Sequence, residues 1–247
     1  MSESQAIATL YGIGVGTGDP ELITLKGLNR LKASPVVAFP AGMGGKPGIA
    51  ESIISPWLSP EQIQLPIAFP YVRNQDVLQA AWREGAEAVW PHLKRGRDVA
   101  FVSEGDVSFY STFGYLAGTL RQLHPEAQIE AIPGVCSPLA AAAELGVPLT
   151  VQHQRLTILP ALYTVDRIET ALDSAEVVVL MKVSSVYETV WKVLERRGLL
   201  SRACVVERAT HRDRVIYRGL GDRPELRLSY FSLLIVWASP DVEIPPL

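Results

Sequence analysis

Few of the residues that signal redox, metal or membrane chemistry are present. The chain has 2 cysteines, Cys136 and Cys204, in 247 residues. Neither stands in a C-x-x-C or Cys/His spacing, so no zinc site and no disulfide framework is indicated. A reduced pair in a cytoplasmic protein without a bound metal is the expectation. No apolar run reaches the roughly 18 residues that a bilayer span needs. The opening MSESQAIATLYGIG has no basic start and runs directly into a strand pattern, so neither a signal peptide nor membrane attachment is expected. Charge of one sign is also missing: 23 Lys and Arg against 26 Asp and Glu leave a formal charge of −3. That balance argues against a general nucleic-acid surface and still permits a local basic pocket for an acidic small molecule. Internal repeats and low-complexity segments are absent.

What is there is ordinary for a soluble globular enzyme, with 48% apolar and 20% charged residues. Short apolar runs alternate with longer helix-like segments, the pattern of an α/β protein with largely parallel sheets. Strands are expected at residues 7–13, 36–39, 63–67, 99–102 and 129–132, with helices at 21–32, 76–93 and 137–145. A second series of strands follows at 156–159, 177–181, 204–208, 215–217 and 231–236. Two strands joined by the polar turn Thr210-His211-Arg212-Asp213 bring in antiparallel pairing. The expected organisation is two α/β domains, 1–118 and 119–247, joined near residues 113–123. The Gly/Pro-rich stretch 40–48 is the candidate mobile loop.

Three strand-to-turn-to-helix junctions carry most of the information. They are GIGVGTGDPELITLKG at 12–27, VAFVSEGDVSFYST at 99–112 and IPGVCSPLAAAAELGVPLT at 132–150. In the second, an apolar strand runs into Glu104-Gly105-Asp106 and then into a helix-like segment opened by residues 107–110. Glycine at the end of a buried strand lets backbone approach a ligand closely. The common glycine-loop chemistries fail here. A P-loop needs Lys-Ser/Thr after its last glycine, and Asp19-Pro20 follows Gly18 instead. The fingerprint G-x-G-x-x-G puts its third glycine on Thr17 or on Asp19, according to where it starts. The second strand ends in Pro40-Ala41 with no acid for a ribose, which argues against NAD and the usual Rossmann methyltransferases.

In this order the three motifs resemble those of the tetrapyrrole methylases, which use S-adenosylmethionine. The first runs Gly14-Val15-Gly16-Thr17-Gly18-Asp19-Pro20 through Thr24, Lys26 and Gly27; the second is Glu104-Gly105-Asp106. The third is Pro133-Gly134-Val135 before a helix that ends in Leu145-Gly146-Val147-Pro148-Leu149. Within the family the chain is most similar to the C20-methyltransferases of precorrin-2 or cobalt-factor II in cobalamin biosynthesis. The long segment 40–74, Gly105-Asp106-x-x-x-Tyr110-Ser111-Thr112 and Ile158-Leu159-Pro160-Ala161 carry that similarity. Two departures stand out: Val107 occupies the place of the family's proline after Gly-Asp, and Cys136 that of a serine. Valine restores a backbone N–H and frees φ.

The resemblance implies a bilobal fold with the cofactor in the cleft between the domains, a tetrapyrrole substrate and a homodimer. It implies that Glu104, Gly105, Asp106 and Phe109 form one wall of the site, with Asp106 facing the methionine ammonium. Cys136 and Ser137 would meet the cofactor at a helix start, and Met181, Ala209 and Ser232 would complete the contacts. On its own residue type, Met181 is core filler at a strand end, and Cys136 is a small buried side chain, not a nucleophile. Asp19, Tyr110 and His153 are the candidate catalytic groups, and the identity of any base stays open. On residue type alone His153 and His211 read first as surface polar residues, and Tyr110 as a packing tyrosine. A substrate rich in carboxylates needs cations, for which Lys46, Arg73, Arg155 and Arg212 are candidates; each also reads as a solvated surface charge.

The activity implied is S-adenosylmethionine-dependent C-methylation at C20 of a reduced tetrapyrrole. Three alternatives remain open from the residues: a sister methylase acting at another ring carbon, a relative that methylates ribosomal RNA or a protein, and a non-catalytic tetrapyrrole-binding protein. The lack of a basic excess counts against RNA.

Overall fold

The structure is a computed structural model that describes residues 6–42, 46–70, 72–160 and 164–238. Residues 43–45 of the expected mobile loop, Tyr71 in the long 40–74 segment and Ala161 of the Ile158–Ala161 motif lie outside them. Contacts divide the chain into two units, Met1–Cys136 and Ser137–Leu247.

The first unit is a five-stranded sheet in the order β3-β2-β4-β1-β5, with every ladder parallel. Its strands are β1 (Thr9–Gly14), β2 (Val36–Pro40), β3 (Ile63–Ile67), β4 (Val99–Ser103) and β5 (Gln128–Ile132). Its helices are α1 (Leu25–Ala33), α2 (Ile49–Ile54), α3 (Gln75–Lys94) and α4 (Phe113–Leu123). A strand sends alternate side chains to opposite faces, and β4 is apolar on both. Val99 and Phe101 pack with Val89, Leu93, Leu116 and Leu120 of α3 and α4. Ala100 and Val102 pack with Leu31 of α1 and with Ile53 and Ile54 of α2. The parallel order β4-β1-β5 places the carboxyl ends of these strands side by side, where ligands bind in open α/β sheets.

Three expectations are corrected here. The helix expected at 21–32 is a 3₁₀ turn, Pro20–Leu22, followed by α1. Ile23 and Thr24 are extended, and the Thr24 hydroxyl caps the helix by accepting from the Gly27 amide at 3.1 Å. The helix expected to open at 107–110 begins instead at Phe113, because Tyr110 adopts φ 53 and cannot continue a helix. The domain boundary expected at 118/119 falls inside α4, whose Leu116, Ala117 and Leu120 belong to the first core. β5 pairs with β1, so the first unit continues to Cys136.

The second unit contains α5 (Ser137–Leu145), β6 (Leu156–Leu159), α6 (Val165–Ser174), β7 (Val177–Met181), α7 (Tyr187–Arg196), β8 (Ala203–Glu207), β9 (Val215–Arg218) and β10 (Ser232–Trp237). The sheet order is β6-β7-β10-β8-β9. β6 and β7 are parallel, while β7–β10, β10–β8 and β8–β9 are antiparallel. Antiparallel pairing thus extends beyond the hairpin expected from the sequence, because β10 inserts between β7 and β8. Leu180, Val205, Leu234 and Val236 on one face pack with Ile168 of α6 and Val190 and Leu194 of α7.

Candidate functional site

In the first unit the three glycine turns meet backbone to backbone. Gly105 donates its amide to the Gly16 carbonyl at 2.7 Å, and Gly16 donates to the Gly105 carbonyl at 3.2 Å. Both are left-handed, at φ 80 for Gly16 and φ 70 for Gly105, a conformation glycine adopts without a side-chain penalty. Their short antiparallel bridge extends the β1–β4 pairing past the parallel ladder. Gly134 closes the group: a Cβ there would sit 2.4 Å from the Gly105 carbonyl oxygen and 2.6 Å from Gly14 carbonyl atoms. Gly105 differs, since a Cβ on it would find nothing nearer than 3.9 Å, at Val135 O and Cys136 Cα. Gly14 and Gly134 are glycines because protein backbone fills the space; a side chain at the buried Gly105 would meet only ordinary van der Waals contact, so its φ of 70 and not a clash calls for glycine there.

Asp106, 8% exposed, fastens this group. Its Oδ1 accepts from the Ser108 amide at 2.7 Å and the Ser108 hydroxyl at 2.5 Å, and its Oδ2 accepts from the Gly134 amide at 2.7 Å. Burial raises the pKa of this carboxyl, and the Ser108 and Gly134 hydrogen bonds outweigh burial, so it titrates below its ordinary value. Three of its hydrogen-bonding positions are therefore taken by its own unit, and it ties the β4 turn to the β5 turn. Phe109 is half-buried with its amide on the Asp106 carbonyl at 3.2 Å, and Glu104 and Cys136 are half-buried beside the same turn.

The candidate catalytic groups fare differently. Asp19 is half-buried and caps the 3₁₀ turn, accepting from the Glu21 amide at 2.8 Å. Tyr110 is 54% exposed and left-handed, its ring edge-on to Phe109 at 4.7 Å. His153 is exposed in the turn before β6. The candidate cations are not drawn together either. Lys46 and Arg73 are exposed in the first unit. Arg212 is exposed in the β8–β9 turn, 3.9 Å from Asp213. Arg155 is committed to Glu176, which accepts from the Arg155 amide and guanidinium, both at 2.8 Å. Those hydrogen bonds and the guanidinium charge push the Glu176 carboxyl down to about 2.

In the second unit, Met181, Ala209 and Ser232 collect at one end of the sheet. Met181 is the last residue of β7 and pairs with Leu233, while Ser232 opens β10 opposite Glu207, the last residue of β8. Lys182 follows Met181 at φ 55, and Arg208 and Thr210 flank the buried Ala209 at φ 48 and φ 64. Non-glycine residues in this region cost energy and gather where function demands a particular backbone. Five occur among the described residues, and three of them sit at this strand end. Ser137 is half-buried at the start of α5. Sequence reasoning passed over Glu207, which is buried at the same end and accepts from the Ser229 amide. The one available signal was an acid closing an apolar strand.

No cluster of potential metal ligands occurs among the described residues, and no helix among them is long and apolar enough to cross a membrane. Comparison with known proteins gives this geometry a context. The chain is 33% identical over 240 residues to the cobalamin biosynthesis protein CobIJ of Mycobacterium tuberculosis, covering 94% of this chain and 46% of that protein. It thus spans about half the length of that relative. It is 31% identical to a precorrin-2 C(20)-methyltransferase of a Sinorhizobium species, over 93% of this chain and 95% of the relative. With the cobalt-precorrin-2 C(20)-methyltransferase of Salmonella typhimurium it shares 30% identity, over 92% and 95% of the two chains. Among solved structures, a cobalt precorrin-4 methyltransferase superposes with a TM-score of 0.72 at 24% identity, covering 93% of this chain and 95% of that one. A Thermus thermophilus uroporphyrin-III C-methyltransferase complexed with S-adenyl homocysteine gives 0.65 at 24% identity, over 93% and 97%. The family match covers residues 9–224, through all three glycine turns and strands β1 to β9, and by it this chain belongs to the tetrapyrrole (corrin/porphyrin) methylases.

Proposed function

We propose that this protein transfers the methyl group of S-adenosylmethionine to C20 of precorrin-2 or of its cobalt-carrying counterpart, cobalt-factor II, in cobalamin biosynthesis. The observation that carries the reading is identity with two-way coverage: two relatives named for C20 methylation are 30–31% identical over 92% or more of this chain and 95% of their own length, and a third is 31% identical over 87% and 89%. A precorrin-4 C(11)-methyltransferase of Pseudomonas aeruginosa aligns at a lower 27% over 87% of this chain.

The residues fit the methyl donor. At Gly105 a side chain would meet protein only at van der Waals distance, while at Gly14 and Gly134 it would clash with backbone. A Cβ-free surface of this kind suits a cofactor that lies against main chain. In the second unit, the strand ends at Met181, Ala209 and Ser232 present backbone held in strained geometry, which supports their assignment as cofactor contacts. Glu104, Phe109, Cys136 and Ser137 complete that assignment.

When bound, the donor supplies an electrophilic methyl on sulfur and leaves as a neutral thioether. What remains for the protein is placement: well-oriented reactants gain roughly 7–11 kcal/mol without any covalent enzyme intermediate. The Gly16–Gly105 bridge fixes the height of the β4 turn, and Asp106 fixes its distance from Gly134. Tyr110 orients the substrate, and Lys46, Arg73 and Arg212 are the cations offered to its carboxylates. Arg155 is left out because Glu176 already neutralises it. Asp19 and His153 are the candidates for moving a proton. The protein acts as a cytoplasmic homodimer in this reading.

Incubation with S-adenosylmethionine and metal-free or cobalt-loaded substrate, followed by mass spectrometry and NMR of the methylated carbon, tests the proposal. One added methyl at C20 is expected. A methyl at another ring carbon would identify a sister methylase, and cofactor binding without transfer would identify a binding protein.

A further inference from the structure

Asp106 and Glu207 are the two acids buried among the described residues, each 8% exposed. They stand at corresponding places in their units. Asp106 lies just past the end of β4, an inner strand of the first sheet, and Glu207 ends β8, an inner strand of the second. Each reaches across to the backbone amide of a different segment, Asp106 to Gly134 at 2.7 Å and Glu207 Oε2 to Ser229 at 2.5 Å. The other Glu207 oxygen, Oε1, accepts from the Tyr217 hydroxyl at 3.3 Å. A buried carboxylate costs free energy unless its lone pairs are filled, and here backbone and a neighbouring strand fill them.

The segment that Glu207 holds is the entry to β10. Three residues after Ser229 comes Ser232, directly opposite Glu207 in the β8–β10 ladder. Between them the Arg208 amide donates to the Phe231 carbonyl at 2.8 Å. Arg208 and Thr210 are left-handed on either side of Ala209, so this turn needs an outside restraint to persist. The hydroxyls of Ser229 and Ser232 are buried at the same place without a hydrogen-bond partner among the described residues. Neither serine side chain secures the segment; the carboxylate does so at Ser229, beside the Arg208–Phe231 backbone bond and the Lys182 ammonium 5.1 Å from the Tyr230 ring centre.

We infer that Glu207 is a positioning residue for the methyl-donor site: it holds the start of β10 against the end of β8 and so sets the backbone of Ala209 and Ser232. The inference rests on the donor reading above. It assigns Glu207 no contact with the donor or substrate.

Three variants test it: Glu207→Ala, Glu207→Gln and Tyr217→Phe. The readouts are S-adenosylhomocysteine affinity by calorimetry, measured well below each melting temperature, and melting temperature itself. In Glu207→Gln the amide oxygen still accepts from Ser229 and the amide nitrogen donates to Tyr217, so affinity stays within about threefold of wild type. Glu207→Ala removes the anchor and raises the dissociation constant about tenfold or more. Tyr217→Phe lowers the melting temperature but leaves affinity unchanged, since the Ser229 hydrogen bond survives. Unchanged affinity in Glu207→Ala, or an affinity that simply tracks melting temperature across all three variants, overturns the inference while the donor reading stands. A wild-type protein that does not bind S-adenosylhomocysteine overturns both.

Discussion

Replacing Gly134 and Gly105 by alanine, one at a time, separates a glycine kept for packing from one kept for a ligand. A methyl group at 134 would lie 2.4 Å from the Gly105 carbonyl oxygen and 2.6 Å from the Gly14 carbonyl carbon and oxygen. None of these atoms belongs to a side chain that can rotate away, so two turns must part by most of an ångström. Overpacking of this kind costs about 1–3 kcal/mol. Parting the turns also strains the Gly134 amide bond to Asp106, and leaving that buried carboxylate short of a donor adds about 1–3 kcal/mol. A total of about 3 kcal/mol lowers the melting temperature by roughly 6–12 °C in a protein of this size. Alanine at 105 meets no atom nearer than 3.9 Å but must adopt φ 70. Its cost is about 1 kcal/mol, or roughly 2–4 °C. Affinity for S-adenosylhomocysteine reverses the order if the donor lies against Gly105 as proposed, because the added methyl at 105 then weakens binding about tenfold or more. Calorimetry and thermal melts on both variants read the two effects together. Gly134→Ala melting with the wild type, or Gly105→Ala binding as tightly as the wild type, would refute the reasoning.

Asp106→Asn should flatten the acid limb of the stability profile. The folded carboxyl titrates below its ordinary value, so its contribution is present above the unfolded pKa of 3.8 and is lost as pH falls through the folded value; melting temperatures from pH 2 to 6 check it. Tyr110→Gly relieves the φ 53 backbone and should raise the melting temperature, by about 1 kcal/mol of stability, while the KM for the macrocycle rises and cofactor affinity holds. Arg155→Ala should shift the melting temperature slightly and leave the KM unchanged, since the guanidinium serves Glu176; a raised KM would return Arg155 to the substrate site. Light scattering should find a dimer across the micromolar range, and a monomer throughout would remove that expectation without touching the chemistry.

The legible part of this protein was its strands. Residues 63–67, 156–159 and 177–181 match their strands to the residue; 177–181 reads as a continuous apolar run because β7 is buried, while 63–67 and 156–159 are partly exposed edge strands marked by short apolar patterns. The failures have one physical root, which is that local pattern does not report long-range partners. Nothing in the run 231–236 says that β10 inserts between β7 and β8, and the extra antiparallel pairs follow from that insertion alone. The domain boundary failed similarly, since β5 is recognisable as a strand but not as the partner of β1. The helix that was expected to open at 107–110 was lost to a single left-handed tyrosine, a conformation sequence pattern does not forecast for that residue.

The same reasoning explains why the site was only half legible. Glycine in a motif signals that a side chain is intolerable, but not whether protein or ligand occupies the space. Gly14, Gly105 and Gly134 look alike in sequence; the structure divides them, two pressed against backbone and one where a Cβ would sit at van der Waals distance. Acids are ambiguous in the same manner. Asp106 read as a partner for a ligand's ammonium because a carboxylate beside a glycine turn has that capacity. In the fold its oxygens go first to Ser108 and Gly134. Glu207 went unread because a carboxylate at a strand end is normally solvated, and it is buried here because the entry to β10 folds over it. The cations pose the same question: Arg155 has the charge a polycarboxylate needs, and in the fold it pairs with Glu176, 21 residues away in sequence. A charged residue's role in this protein is therefore decided by which of its hydrogen bonds the fold has already made, and that follows from strand order.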